Sequence, residues 1–202
     1  MTAHATDNTE EIRQRILEAA TRRFEQFGYN KTTMAEIAQD CQMSAANLYR
    51  YFENKQDIGA NLAAYCLSTK VETLHQIVQQ KHRPAAERLN DLVLQSLHYT
   101  YQQWSENPRM NELVTVICES CLDVVDSYKQ NEHQILAELI SDGINNKEFN
   151  ITPNDIDDYA YAITTAITAF NLPILMPLYP LSTFEQRARS VVKLMLGGLK
   201  NT

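Results

Sequence analysis

Between Thr33 and Phe52 the chain carries two helix-start signals in quick succession. Thr33 stands three residues before Glu36, the capping-box spacing in which each side chain satisfies an otherwise orphan amide at a helix start. Met34, Ile37 and Ala38 supply a short apolar stripe, which must end near Asp40 or Cys41. Ser44 then offers a fresh N-cap, and Leu48 and Phe52, four apart, begin a second stripe. Only Cys41, Gln42 and Met43 lie between the two. Two short helices joined by so brief a turn have the geometry of a helix-turn-helix, and the pattern constrains the fold more than any other stretch of the chain.

The rest of the sequence agrees with an all-α chain. Gly (5) and Pro (6) are scarce and apolar residues make up 44% of 202 positions, a composition that suits helices better than a sheet with many tight turns. Residues 1–9 are polar and unpatterned and read as a disordered tail. Ile12, Ile16, Ala19, Ala20, Phe24 and Phe27 form a helical stripe that Gly28 stops. Asn54 caps a longer helix to about residue 80, with Asp57 in its first turn, and a polar stretch marks a boundary before Pro84. Further helices run from Pro84 to about Ser105, through the apolar segment 110–128, over 135–144, from Pro153 with Thr152 as cap to a stop at Pro173, and from a capping box at Ser182 and Glu185 to Leu199. The division drawn is residues 10–56, with the helix-turn-helix at 33–52, and residues 57–202, a larger helical unit.

No cofactor and no metal site is expected. Glu72 and His75 repeat only half of a di-metal helix motif and read as a solvated face. Cys118 and Cys121 have a Cys-x-x-Cys spacing, but "VTVICESCLDVV" reads as helix interior, so core packing is expected over chemistry. The most apolar stretch, 160–181, is broken by prolines and is a poor membrane span, which with reduced thiols points to a cytoplasmic protein.

A net charge of −7 counts at first against nucleic acid, since phosphate neutralisation needs basic surface. Any such face must be a local patch drawn from Lys31, Arg50 and Lys55, with Arg22 and Arg23 at its edge. The second short helix suits it: Asn bonds an adenine edge, Ala approaches a thymine methyl, and Tyr and Arg donate to phosphates.

The stretch "ILEAATRRFEQFGYNKTTMAEIAQDCQMSAANLYRYFENKQDI" resembles the N-terminal DNA-binding domain of the tetracycline-repressor (TetR/AcrR) family. Phe24, Phe27-Gly28-Tyr29, Thr32-Thr33, Ile37-Ala38, Ser44, Leu48-Tyr49-x-x-Phe52 and Lys55 carry the resemblance. It implies a three-helix DNA-binding domain, a linking fourth helix, and a larger helical domain that dimerises and holds an effector pocket. The family's DNA contacts fall here on Thr33, Ser44, Ala45, Ala46, Asn47, Tyr49, Arg50, Tyr51 and Lys55. Gln42 departs from the family's usual turn glycine, so the backbone there either avoids positive φ or tolerates it at a cost. Ala45 and Ala46 replace a common Lys-Gly-like pair and remove a cationic contact.

The resulting expectation is a homodimeric repressor, not an enzyme, that binds a palindromic double-stranded DNA operator and is released by an unidentified small-molecule effector. Trp104, Met110, Cys118, Cys121, Tyr161 and Phe170 are candidates for the effector pocket, and Ile163, Ile167, Phe184, Ala188, Val191 and Met195 for the dimer interface. The alternatives are a helical thiol redox sensor or enzyme using Cys118 and Cys121, and a helical scaffold that binds another protein.

Overall fold

The structure, a computed structural model, describes residues 3–200, with side chains from Thr9 onward. Helices dominate it, and no strand occurs among the described residues. In chain order they are α1 (Ala3–Phe27), α2 (Met34–Asp40), α3 (Ala45–Leu48), α4 (Lys55–Val78), α5 (Ala85–Glu106), α6 (Asn111–Ser120), α7 (Leu122–Asn145), α8 (Ile156–Asn171) and α9 (Leu181–Lys200). Short 3-10 turns stand at Pro108–Met110, Pro153–Asp155 and Pro173–Leu178. The all-α expectation holds.

Several boundaries differ from the sequence reading, each for a local reason. The expected tail is helical from Ala3, because no Gly or Pro precedes Gly28 to interrupt the turn that Ile12 continues; Met1 and Thr2 lie outside the described residues. The capping box at Ser182 does not form. The Pro180 carbonyl accepts from the amides of Thr183 (3.0 Å) and Phe184 (3.3 Å), so α9 starts at Leu181 and Ser182 already lies inside its first turn. Glu185 bonds His98 instead, at 2.6 Å. Neither Asn107 nor Thr152 caps a helix amide through its side chain.

The chain forms two compact units, Met1–Cys66 with Asn107–Val124, and Leu67–Glu106 with Val125–Thr202. In the first, α1 buries Ile16, Ala19, Ala20 and Phe24, α2 buries Met34, Ile37 and Ala38, and Leu48 and Phe52 are 0% and 1% exposed. Burial of the Ile, Leu, Met and Phe side chains among them contributes roughly 1.5 to 3 kcal/mol each.

The second unit is centred on α5. Its Leu89, Leu92, Val93 and Leu97 join a core with Leu136, Leu139 and Ile140 of α7, Ile163 and Ile167 of α8, and Phe184, Ala188 and Val192 of α9. Arg88 is fully buried at one end of this core, where it donates to the Val78 carbonyl and to Asp142 (3.0 Å). No helix among the described residues is long and apolar enough to cross a membrane.

Candidate nucleic-acid interface

The first unit presents the start of α2 and the whole of α3 on one backbone frame. Thr33 caps α2 as expected: its hydroxyl accepts the Glu36 amide (3.3 Å), and Glu36 Oε2 accepts the Thr33 amide (2.8 Å). Hydrogen bonds from the Thr33 side chain and backbone hold the Glu36 carboxyl below its ordinary pKa. Ser44 caps α3 by accepting the Asn47 amide at 3.2 Å. Between them Gln42 adopts φ +56, the left-handed conformation a glycine would take at less cost, so this residue tolerates positive φ rather than avoiding it.

The α-helical part of α3 is only four residues long, but the Arg50, Tyr51 and Phe52 amides continue the turn by bonding the Asn47 and Leu48 carbonyls. Leu48 and Phe52 point into the core. Ser44, Ala46, Tyr49 and Arg50 face solvent, while Ala45, Asn47 and Tyr51 are half-buried. Tyr49 is 53% exposed, a large aromatic side chain left in water directly beside Arg50.

Of the cations expected in the patch, Lys31, Arg22 and Arg50 are exposed. Arg23 is committed elsewhere: it pairs with Asp40 (2.5 Å) and Glu36 (3.4 Å), which raises its own pKa and lowers that of Asp40. Lys55 is also engaged. Its ammonium donates to the carbonyls of Tyr29 (2.7 Å) and Thr32 (2.8 Å), reaches Asn30 at 3.5 Å, and lies 4.3 Å from the Tyr29 ring centre. Burial pulls its pKa down, against the opposing attraction of Glu112 and Glu36.

Other residues that hold this surface were not singled out in the sequence. Arg13 of α1 donates to the Tyr51 carbonyl and to Asn61 (3.1 Å) and stacks 4.2 Å over the Phe52 ring. Arg15 donates to the Cys41 carbonyl at 3.2 Å. Two α1 arginines thus tie down the backbone at the ends of α2 and α3. On the far side of the α1–α2 turn, Glu112 of α6 accepts the Asn30 amide at 2.9 Å. Gly28 suits this turn because φ +88 lies in the left-handed region that side chains disfavour, and a Cβ there would also press on the Glu112 carboxylate at 3.0 Å. Gln56, near the start of α4, donates to the Ser120 carbonyl (3.3 Å) and to the Cys121 thiol (3.5 Å). Sequence periodicity carries no signal for such bonds, because they join positions 26 to 82 residues apart.

The cysteines do not share a helix interior. α6 ends at Ser120 and Cys121 leaves the helical conformation (φ −129, ψ 58), so Cys118 is exposed and Cys121 is buried. Met110, Cys118 and Cys121 belong to the first unit, whereas Trp104, Tyr161 and Phe170 belong to the second. Within the second unit Trp104 packs on the core, Phe170 is buried and Tyr161 is 61% exposed. Ile163, Ile167, Phe184 and Ala188 are buried in the chain's own core, with Val191 and Met195 packed against it. A dimer through α8 and α9 would therefore use the other sides of those helices.

Two capped helices at this spacing, packed on a third and presenting Tyr49 and Arg50 outward, define a helix-turn-helix DNA-binding regulator. Comparison with known proteins narrows the class. Residues 16–60 match the profile described as "Bacterial regulatory proteins, tetR family", and residues 85–192 that described as "Tetracyclin repressor-like, C-terminal domain". The chain belongs to the TetR family of transcriptional regulators, which are not enzymes.

The probable HTH-type transcriptional regulator YttP of Bacillus subtilis (strain 168) is 22% identical over 168 residues, 83% of this chain and 79% of that protein. HbdR of Aromatoleum sp. (strain CIB) is 43% identical over 49 residues, 24% of this chain and only 21% of HbdR. Among solved structures, FadR from Bacillus subtilis in complex with stearoyl-CoA has the same fold, with a TM-score of 0.63 at 19% identity over 92% of this chain and 98% of that one.

Proposed function

We propose that the protein is a homodimeric repressor that binds a palindromic operator and is released by a small molecule. The observation that carries the reading is the pairing of Tyr49 and Arg50 in solvent with Leu48 and Phe52 in the core of one short helix. The amino end of α3, with Ser44, Ala45, Ala46 and Asn47, faces base edges in the major groove, while Thr33, Tyr49, Arg50 and Tyr51 meet the backbone. Lys55 holds the α1–α2 turn, and any phosphate contact by its ammonium requires it to leave the carbonyls of that turn.

Two-fold symmetry follows from the small footprint of one such helix: two of them, about 34 Å apart, read a palindrome. The outward sides of α8 and α9 support the dimer. Ala162, Ala166 and Ala169 form a flat, exposed strip on α8, and Leu194 of α9 is 78% exposed. Small residues with a few large apolar ones suit close helix packing. The FadR complex with stearoyl-CoA supports effector control in a protein of this fold. An effector that prefers a conformation with the wrong spacing of the two reading helices releases DNA, with a coupling of typically 1 to 3 kcal/mol.

Selection of bound sites from a random DNA pool tests the reading. A palindrome with half-sites one turn apart is expected, and Tyr49→Ala with Arg50→Ala abolishes the shift of the selected site while circular dichroism stays unchanged. Recovery of no enriched sequence, or a monomer in light scattering at micromolar concentration, refutes the proposal.

A further inference from the structure

Apart from Arg88 at one end, the second unit's core is apolar except where four helices bring polar side chains together out of water. Lys70 of α4, Ser96 and Thr100 of α5 and Glu132 of α7 are each 4% exposed or less. The Lys70 ammonium donates to Thr100 Oγ1 (2.9 Å) and Asn171 Oδ1 (3.2 Å) and lies 5.4 Å from the Tyr128 ring centre. Ser96 donates to the same Asn171 oxygen at 2.5 Å. Glu132 Oε1 accepts from Asn171 Nδ2 (2.9 Å) and from the Tyr128 hydroxyl (3.1 Å). The buried cation and the buried carboxyl are therefore joined through a carboxamide, not directly.

Burying a charge without a direct counter-ion is costly, and an apolar core of the same volume would be at least as stable. The arrangement makes sense as a receptor. Asn171 is its movable part: it is the last residue of α8, it is half-buried while Lys70 and Glu132 are not, and Leu172 after it leaves in an extended conformation. Its flat carboxamide has the shape of a carboxyl group.

We propose that this cluster is the effector-recognition site and that the effector carries a carboxylic acid, which takes the place of the Asn171 carboxamide. The inference rests on the effector-released regulator proposed above. One carboxylate oxygen accepts from Lys70 and Ser96, turning the cation–dipole contact with Lys70 into an ion pair and the neutral contact with Ser96 into a charge-assisted one. The second oxygen stands where Nδ2 now faces Glu132, and a single proton lies between the two carboxyls. Burial already pushes the Glu132 carboxyl toward its protonated form. Displacing Asn171 moves the end of α8 and the Pro173–Leu178 turn that leads into α9, the two helices assigned to the dimer.

The test uses the full chain and sodium acetate as probe. Asn171→Ala leaves a gap of the size of the probe's carboxylate. Acetate is expected to raise the thermal midpoint of this variant by about 3 to 6 °C at a tenfold excess over its dissociation constant, beyond equal sodium chloride, and to leave the wild type unmoved. Acetamide, uncharged and of the same shape, is expected to give less than half that rise. Acetate fills the variant's gap without displacing anything, so release is read on the wild type. Sodium hexanoate, whose chain adds apolar contact that acetate lacks, must displace Asn171 and is expected to weaken the hold on the selected operator at least fivefold, beyond equal sodium chloride. Asn171→Gly repeats the series if the alanine variant does not fold. Equal responses to acetate and acetamide, or none beyond chloride in either variant, overturn the acid assignment. Stabilisation of the variant by acetate, with the wild type's operator affinity unchanged by hexanoate, overturns the regulatory role. Failure of the wild type to hold any operator sinks the earlier reading instead, and is seen without acetate.

Discussion

The polar groups that hold the reading surface and those at the centre of the second unit are bonded in largely opposite ways. In the DNA-reading unit Arg13, Arg15, Lys55 and Glu112 all bond main-chain groups, at Tyr51, Cys41, Tyr29, Thr32 and Asn30. In the second unit Lys70, Ser96, Thr100, Tyr128, Glu132 and Asn171 bond one another's side chains. A main-chain partner can be moved only by moving its helix or turn, so such bonds fix a shape. A side-chain partner swings away about its own rotatable bonds and leaves a vacancy of defined chemistry. The contrast matches a rigid reader joined to a core that can exchange one of its members for a ligand.

The largest expected effect is in the exchangeable network. Lys70→Ala leaves Glu132 buried without its cation and should destabilise the second unit by about 3 kcal/mol, whereas Lys70→Met together with Glu132→Leu should recover most of that loss. Urea denaturation measures both. A double variant no better than the single one would mean that the network is held by packing alone. The same lysine predicts a pH effect. Burial lowers its pKa from 10.5 to about 8. Between those values the unfolded chain binds the proton and the folded chain has lost it, so stability rises with pH across that window, by at most about 1.4 kcal/mol per unit. Tyr128, raised above its ordinary 10.0, opposes this near the upper end, so the clean window is about pH 8 to 10. Lys70→Met should flatten the slope there.

The fixed unit was the more legible of the two in the sequence. The capping box at Thr33, the caps at Ser44 and Asn54, and the inward Leu48 and Phe52 all depend on neighbours within a few positions, which periodicity and spacing report directly. Ser182 shows the limit of the same signal: its spacing to Glu185 is right, yet the helix starts two residues early, from Pro180. The Lys70 cluster draws on helices up to 101 residues apart, so no local pattern marks it. Trp104, Tyr161 and Phe170 were weighed as pocket residues for their apolar bulk, while the polar members that distinguish this core look like ordinary surface residues in the sequence.

Lys55 and Glu112 sharpen the idea of a fixed reader, because electrostatics and positioning predict different outcomes. Lys55→Met should weaken operator binding about tenfold, roughly the value of one lost hydrogen bond to a charged group. If Lys55 acts by holding the α1–α2 turn, the slope of log affinity against log salt stays unchanged; if it neutralises a phosphate, the slope falls by about 0.9. Glu112→Gln removes a negative charge from the unit that meets DNA, which by charge alone should tighten binding. As a clamp on the Asn30 amide, Glu112 should instead be missed, and the variant should bind about two- to fivefold more weakly, since an amide oxygen accepts less strongly than a carboxylate. Fluorescence anisotropy on the selected operator at several salt concentrations reads both, and tighter binding by Glu112→Gln would remove the clamp from the account.

The smallest effect concerns the turn itself. Gln42 holds φ +56 with its side chain in solvent, so its cost is paid in backbone strain and not recovered in packing. Gln42→Gly relieves that strain but also loosens the unfolded chain, and the two terms partly cancel, leaving a gain of about 0.5 kcal/mol. A fixed reader should gain that stability with operator affinity unaltered, because the Cys41 carbonyl stays tied to Arg15 and the Met43 amide to the Ala38 carbonyl (3.0 Å). If affinity falls while stability rises, the stiffness of Gln42 itself sets the angle between α2 and α3, and the side-chain-to-backbone ties are not sufficient to hold it.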